Sequence, residues 1–322
     1  MRTTSSAHRS TQAECRIAPI EAALGAEVRN VDLRRLDDLT FRIIHAAWLD
    51  HVLLVFRGQM LGAEDLVRLV RHFGTPVTSS TLHERSLDER TGNQLFNLPP
   101  EVTVVSNAQE NGRSVGILGD GEIAWHSDFS FKERPTAARM LAAMEVPPLE
   151  RGGNTFFLNA YAAYDALPEA LKKRISGRTI KQGNIVDTAM KLRPGASLSD
   201  DIRQTPGPSH PIISTHPETG CSTLFLGRRH SAYVNGAPLE ESEALLDELW
   251  THATQPRFCY EHRWAVGDVV VWDNRATLHR RDAYDPASRR VLYAAQVEGH
   301  RPYEAADALS RPAHPRSKLF SS

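Results

Sequence analysis

Cysteine is scarce in this chain of 322 residues: Cys15, Cys221 and Cys259 are odd in number and far apart. Such a set excludes a disulfide framework and lacks the close pairs of a zinc knuckle, and a reducing cytoplasm is the expected location. An excess of one charge is lacking too. With 38 basic against 39 acidic residues the formal net charge is -1, so the electrostatic footprint of a general DNA or RNA binder is missing and a small molecule is the expected partner. No apolar run approaches the roughly 18 residues of a membrane span, and MRTTSSAHRSTQAE at the start has no secretory h-region, so no membrane partner is expected. No internal repeat, low-complexity tract or Gly/Ser/Pro-rich linker divides the chain. We therefore expect a flexible leader over 1–15, a single domain over 16–305 and a polar tail over 306–322.

What is present alternates helical and strand signals early and turns to short strands later. TFRIIHAAWLDHV and GAEDLVRLVRHFG predict helices; in the second, Leu66, Leu69, Val70 and Phe73 recur at i, i+3, i+4, i+7 and Gly74 is the stop. VLLVFRG between them predicts a buried strand. LPEALKKRISG and PLEESEALLDELWTHA predict two further helices. TVVSN, ARMLAAMEV, NTFFLN, PIIST, STLFLG, DVVVW and RVLYAAQV predict short strands separated by turns. Many short strands with few crossover helices predict a mainly β sandwich or jelly roll with flanking helices. Residues 77–101 and 181–210 fit no element; stretches of that length in a compact domain are usually lids or binding loops.

IAWHSDFSF places His126 and Asp128 two apart in what reads as a strand, where i and i+2 share a face. Fourteen histidines make a chance His-x-Asp unsurprising, and His216-Pro217-Glu218 is a rival. That rival sits in IISTHPETGCSTLFL, which reads as a solvent-exposed hairpin tip, a poor place for the dry cavity that metal catalysis needs. A third ligand is offered by GDVVVWDNRATLHRRDAYDPASRRVLY, where an apolar strand runs into a turn and then to His279. Two imidazoles and a carboxylate on one face of a metal form the facial triad of non-heme Fe(II) oxygenases. Singly, each residue also has an ordinary structural reading: Trp125 and Trp272 as core fillers, Thr155 as a β-former, Arg290 as a surface cation.

Taken together and in order, WHSDFSF, GGNTFF and GDVVVWDNRATLHRRDAYDPASRRVLY resemble the signature blocks of the taurine/2,4-dichlorophenoxyacetate dioxygenase (TauD/TfdA) family. GAEVRNVDL, LDDLTFRIIHAAWLDHVLLVFRGQ and HPETGCSTLFLGRRH extend the likeness over most of residues 16–300. The resemblance implies a double-stranded β-helix (jelly roll, cupin-like) core with active-site loops near 77–101 and 181–210. It further implies an iron site of His126, Asp128 and His279, and 2-oxoglutarate held at its far carboxylate by Thr155 and Arg290. Arg289 is the adjacent competitor for that role, and only one of two strand neighbours can face the pocket.

The implied activity is that of an Fe(II)- and 2-oxoglutarate-dependent dioxygenase that uses molecular oxygen to hydroxylate or oxidatively cleave at a C–H of a small organic acid, releasing succinate and CO₂. Retention of Asp128 favours these outcomes over halogenation, since related halogenases carry a small residue there. A homo-oligomer is the family expectation. Two other readings use the same residues: a non-catalytic jelly-roll binding protein, and a zinc hydrolase that would leave Thr155 and Arg290 without a task. The sequence departs from the taurine pattern at Ala294, four residues past Arg290, where relatives place a second arginine for the substrate's anion. Ala294 is expected to face the same pocket, with poor turnover of taurine. Arg85, Lys181, Arg193 and Arg203 are the candidate replacements for the missing cation.

Overall fold

The computed structural model describes residues 14–78, 97–188, 191–193, 195–197 and 201–320. Helix and strand signals resolve into two main β-sheets with an apolar layer between them and helices on their outer faces, and three smaller sheets of two or three strands. The eight-stranded sheet runs in the order Arg16–Pro19, Ala26–Arg29, Leu53–Phe56, Val269–Asp273, Ala138–Glu145, Val291–Val297, Thr103–Ser106, Ile117–Leu118. The four-stranded sheet runs Cys259–His262, Thr155–Asn159, Thr277–Arg281, Ile123–His126. Every pairing in the four-stranded sheet is antiparallel, which lets its strands be joined with opposite strands of the larger sheet by short connections.

Strand alternation sorts the side chains into layers. Leu54, Phe56, Val269 and Val271 face outward and are covered by the helices Asp38–His51 and Ala63–Phe73 through Ile44, Trp48, Leu66 and Val70. Leu53, Val55, Val270, Trp272, Leu141 and Leu292 point inward, where Phe157 of the smaller sheet meets Trp272 edge-on at 5.1 Å. A strand buried on both faces needs an apolar residue at every position, which is why VVVWD shows no polar alternation. The first helix starts on Asp37, whose carboxylate accepts from the Thr40 N–H at 2.7 Å. The outer face of the smaller sheet, through Leu158 and Leu278, is closed by the helices Ala160–Asp165, Glu169–Ile175 and Leu239–Ala253.

Three sequence expectations are corrected here. The HPETG segment is a hairpin tip exposed at Pro217 and Glu218, but His216 is turned inward: it is 1% exposed and its Nε2 lies 2.9 Å from Asp273 Oδ2, while Glu218 meets Arg275 and His45. A buried carboxylate drew the histidine inward, and a turn composition cannot reveal a partner 57 residues away. The unassigned stretch 181–210 is also not all loop, because Thr179–Gln182 pairs with Ser209–Pro211 and with Ala232–Val234. Residues 306–320, expected as a polar tail, lie against the body: His314 stacks on Tyr161 at 4.2 Å and Arg316 donates to the carbonyls of Ile20, Ala22 and Gly25. None of the described helices is long and apolar enough to cross a membrane.

Candidate active site

The strand Ile123–His126 ends at His126 and the chain turns at once, so Asp128 is not on a strand with it. The i, i+2 geometry expected from the sequence is therefore wrong. The two side chains converge because Asn274 holds the turn. Asn274 Oδ1 accepts from the Asp128 N–H at 2.9 Å, its Nδ2 donates to the carbonyls of Asp128 and Thr136, and Ser127 Oγ donates to the Asn274 carbonyl. Asn274 itself lies in the turn that carries the chain from Val269–Asp273 to Thr277–Arg281, capped by Thr277 Oγ1 donating to the Asp273 carbonyl. One turn thus fixes Asp128 and delivers His279, which pairs in register with His126.

Ligand-capable atoms of His126, Asp128 and His279 all lie within 4.8 Å of one another, and all three residues are buried. Asp128 Oδ1 is 3.7 Å from His126 Nε2 and Asp128 Oδ2 is 3.6 Å from His279 Nε2. The Ala124 carbonyl, which can only accept, sits 2.8 Å from His126 Nδ1, so that nitrogen carries the proton and Nε2 presents its lone pair. Burial lowers the pKa of both imidazoles, with Arg139 and, for His279, His126 adding repulsion; neutral rings are the ligating form. Arg139 Nη1 donates to Asp128 Oδ1 at 2.9 Å, whereas Asp128 Oδ2 is buried with no hydrogen-bond partner. A buried carboxylate oxygen left bare is costly, and two neutral imidazoles beside it form a donor set that fits Fe(II).

Arg290 and Arg289 separate cleanly. Arg289 is outside, with Nε donating to Glu145 and Nη1 3.5 Å from Glu110. Arg290 is 1% exposed, and its guanidinium lies over the rings of Tyr284 and Trp264 with no carboxylate partner among the described residues. Burial, with Arg281 next, pulls its pKa down to about 9, still charged at neutral pH. Thr155 Oγ1 accepts from the Trp264 indole at 2.9 Å, which leaves its own proton to donate. The preceding glycines bring the strand close to Arg290: Gly152 has φ +82 and a Cβ there would lie 2.6 Å from the Ala283 carbonyl oxygen.

His126, Asp128, His279, Thr155 and Arg290 all line one cavity of about 660 Å³. Arg193 is on its wall, 4.6 Å above the Phe131 ring. Lys181 and Arg203 are not: the lysine donates to the Arg203 carbonyl, and Arg203 pairs with Asp201 at the surface. Arg85 lies outside the described residues. Ala294 does not line the cavity as expected; it is packed with Leu141 and Leu292 in the layer between the sheets. Sequence reasoning missed Asn274, Trp264, Arg139, Arg228 and Arg281. Arg281 carried a signal, two residues after His279 on a strand; Arg139 and Arg228 carried none.

The chain matches the family described as "Taurine catabolism dioxygenase TauD, TfdA family" over residues 16–296. It is 33% identical over 304 residues to the (S)-phenoxypropionate/alpha-ketoglutarate-dioxygenase of Delftia acidovorans, covering 92% of this chain and 99% of that protein. Identity to the alpha-ketoglutarate-dependent 2,4-dichlorophenoxyacetate dioxygenase of Cupriavidus pinatubonensis (strain JMP 134) is 35%, over 86% of this chain and 95% of the other. The crystal structure of AAD-2 in complex with Mn(II) and N-oxalylglycine superposes with a TM-score of 0.70 at 28% identity, covering 90% of this chain and 99% of that one. With its buried His-Asp-His cluster and this coverage, the chain belongs to the TauD/TfdA family and is an Fe(II)- and 2-oxoglutarate-dependent dioxygenase.

Proposed function

We propose that the substrate is a small organic acid with an apolar or aromatic body, oxidised at a C–H held beside the metal cluster. The observation that carries this is the charge of the cavity. Its wall bears more guanidinium and ammonium groups than carboxylates, and Arg139, Arg193 and Arg228 surround the Phe129 and Phe131 side of it. Arg228 is 4% exposed and its guanidinium is hydrogen-bonded to the carbonyls of Val186 and Gly183, with Asp187 offsetting part of its charge and Arg193 adding to it. An anion entering such a site exchanges water for fixed guanidinium groups, whereas a neutral molecule leaves them unpaired. Relatives named for phenoxypropionate and 2,4-dichlorophenoxyacetate support an aromatic carboxylic acid.

In this reading His126 Nε2, Asp128 Oδ2 and His279 Nε2 ligate Fe(II), and Thr155 and Arg290 hold the far carboxylate of 2-oxoglutarate. When bound, the metal and 2-oxoglutarate would together activate molecular oxygen, one oxygen atom going to 2-oxoglutarate as it leaves as succinate and CO₂ and the other being available for oxidation of the substrate C–H. The protein's part is positioning: Asn274 and Arg139 fix the Asp128 carboxylate, Trp264 orients the Thr155 hydroxyl, and Phe129 and Phe131 exclude water from the substrate face. We read the two facing sheets as a double-stranded β-helix and the enzyme as cytoplasmic, with three free thiols.

Succinate release from the Fe(II)-loaded enzyme, measured with phenoxyacetic and phenoxypropionic acids, their neutral amides, and taurine, tests the proposal. Aromatic carboxylic acids should stimulate release and taurine should not, because its short aliphatic body leaves the Phe129 and Phe131 side of the cavity unfilled. Amides that work as well as the acids, or efficient taurine oxidation, would overturn it.

A further inference from the structure

Arg281 is 5% exposed and lines the same cavity, on the strand that carries His279. Residues i and i+2 of a strand share a face, so the guanidinium projects beside the metal cluster. In the antiparallel register Arg281 stands directly opposite Thr155. Its Nη2 donates to the Leu118 carbonyl at 3.0 Å and to that of Gly121, but Nε and Nη1 are buried without a partner. Tyr284 packs against both it and Arg290, the two guanidinium carbons being 5.0 and 5.7 Å from the centre of that ring, and Asp120 is the carboxylate acting on Arg281. Arg290 Nε is likewise buried and bare.

Two buried guanidinium groups sharing one ring repel each other and leave polar hydrogens unmet. Each such orphaned donor is unfavourable on its own. A loop anchor alone would explain Nη2 and leave the other two nitrogens unaccounted for. We infer that Arg281 is a second arginine for the far carboxylate of 2-oxoglutarate, so that this anion is met by Arg290, Arg281 and the Thr155 hydroxyl together. The inference rests on the placement of 2-oxoglutarate given above and adds a residue to it.

A binding titration of the Mn(II)-loaded enzyme separates the possibilities without turnover. Calorimetry is run with 2-oxoglutarate and with 2-oxopentanoate, which has a methyl where the far carboxylate would be. Arg281→Ala should weaken 2-oxoglutarate about ten- to a hundredfold, the range for a lost hydrogen bond to a charged group, and leave 2-oxopentanoate within about twofold. Arg281→Gln, whose amide can still donate to the Leu118 and Gly121 carbonyls, should show the same selective loss and guards against failure of the alanine variant to fold. Equal weakening of both acids in both variants, or no weakening of either, would overturn the role of Arg281. Arg290→Ala distinguishes the two levels: if it weakens 2-oxoglutarate while the Arg281 variants do not, only the second arginine is wrong; if none of the three has an effect, the co-substrate placement itself fails.

Discussion

One step along the chain separates Arg289, tied to Glu145 at the surface, from Arg290, which is buried beside Thr155 and the metal cluster. That difference fixes the expected cost of losing each. On the proposed placement of 2-oxoglutarate, removing Arg290 would leave its far carboxylate short of a bidentate partner, about 2–5 kcal/mol for truncating a buried charge pair. Arg290→Ala should therefore raise the 2-oxoglutarate concentration for half-maximal succinate release by more than tenfold. Arg289→Ala breaks exposed pairs worth about 0–1 kcal/mol and should stay within about threefold; equal behaviour would refute the assignment. The ligand residues make a different demand. His126→Ala, Asp128→Ala and His279→Ala each remove one of three donors, so bound iron should fall well below one per chain and turnover should vanish while the far-ultraviolet circular dichroism is retained. Near-normal iron in His279→Ala would sink the site.

At the scale of elements, the hairpin formed by Ile213–Thr215 and Ser222–Leu224 shows what the sequence could and could not carry. Its strands were legible from IIST and STLF, as the helix Asp38–His51 was from TFRIIHAAWLDHV. Its burial was not, because the cause is Asp273, far away at the end of another strand. The same holds at the metal site. His126, Asp128 and His279 stood out as residue types, yet the turn that gathers them depends on Asn274, whose side-chain hydrogen bonds run to segments more than 130 positions distant. Arg139 reaches Asp128 from a neighbouring strand for the same reason. The hairpin also makes an acid-sensitive staple. Burial alone would raise the Asp273 carboxyl, but Arg275 and His216 together hold it below the usual carboxylate range. Glu218 is brought from 4.5 to about 2 by its hydrogen bond with His45, against burial and with help from Arg275. Folded pKa values below the unfolded ones mean that this stability is fully present above about pH 4.5 and is lost as pH falls toward 2. Urea denaturation at pH 7, 4 and 3 should show that decline. Asp273→Asn should lower stability at pH 7 by about 3–5 kcal/mol, the cost of breaking a buried pair, and flatten the acid dependence. An unchanged slope between pH 4 and 3 would show that the staple is not what titrates.

For the whole molecule, the cavity gathers several buried polar atoms that the fold itself leaves without partners. Both sheets meet there, and Asp128 Oδ2, Arg139 Nε, Arg281 Nε and Nη1, and Arg290 Nε are all buried without partners. Val270, Leu53 and Leu292 fill the layer between the sheets with apolar contact that needs no ligand. The metal and 2-oxoglutarate would meet those bare atoms only in the folded state, so they should stabilise it by mass action, about 2.7 kcal/mol at a hundred times the dissociation constant. Mn(II) alone should raise the melting temperature by meeting Asp128 with the two imidazoles. Adding 2-oxoglutarate to the Mn(II) form should raise it again, by several degrees at saturation. The second increment depends on the buried guanidinium groups, so it should shrink in Arg290→Ala while the first survives, and both should disappear in Asp128→Ala. Differential scanning fluorimetry with each addition in turn reads all three increments. A 2-oxoglutarate shift of full size in Arg290→Ala, or one that needs no metal, would mean that the anion binds somewhere other than beside this cluster.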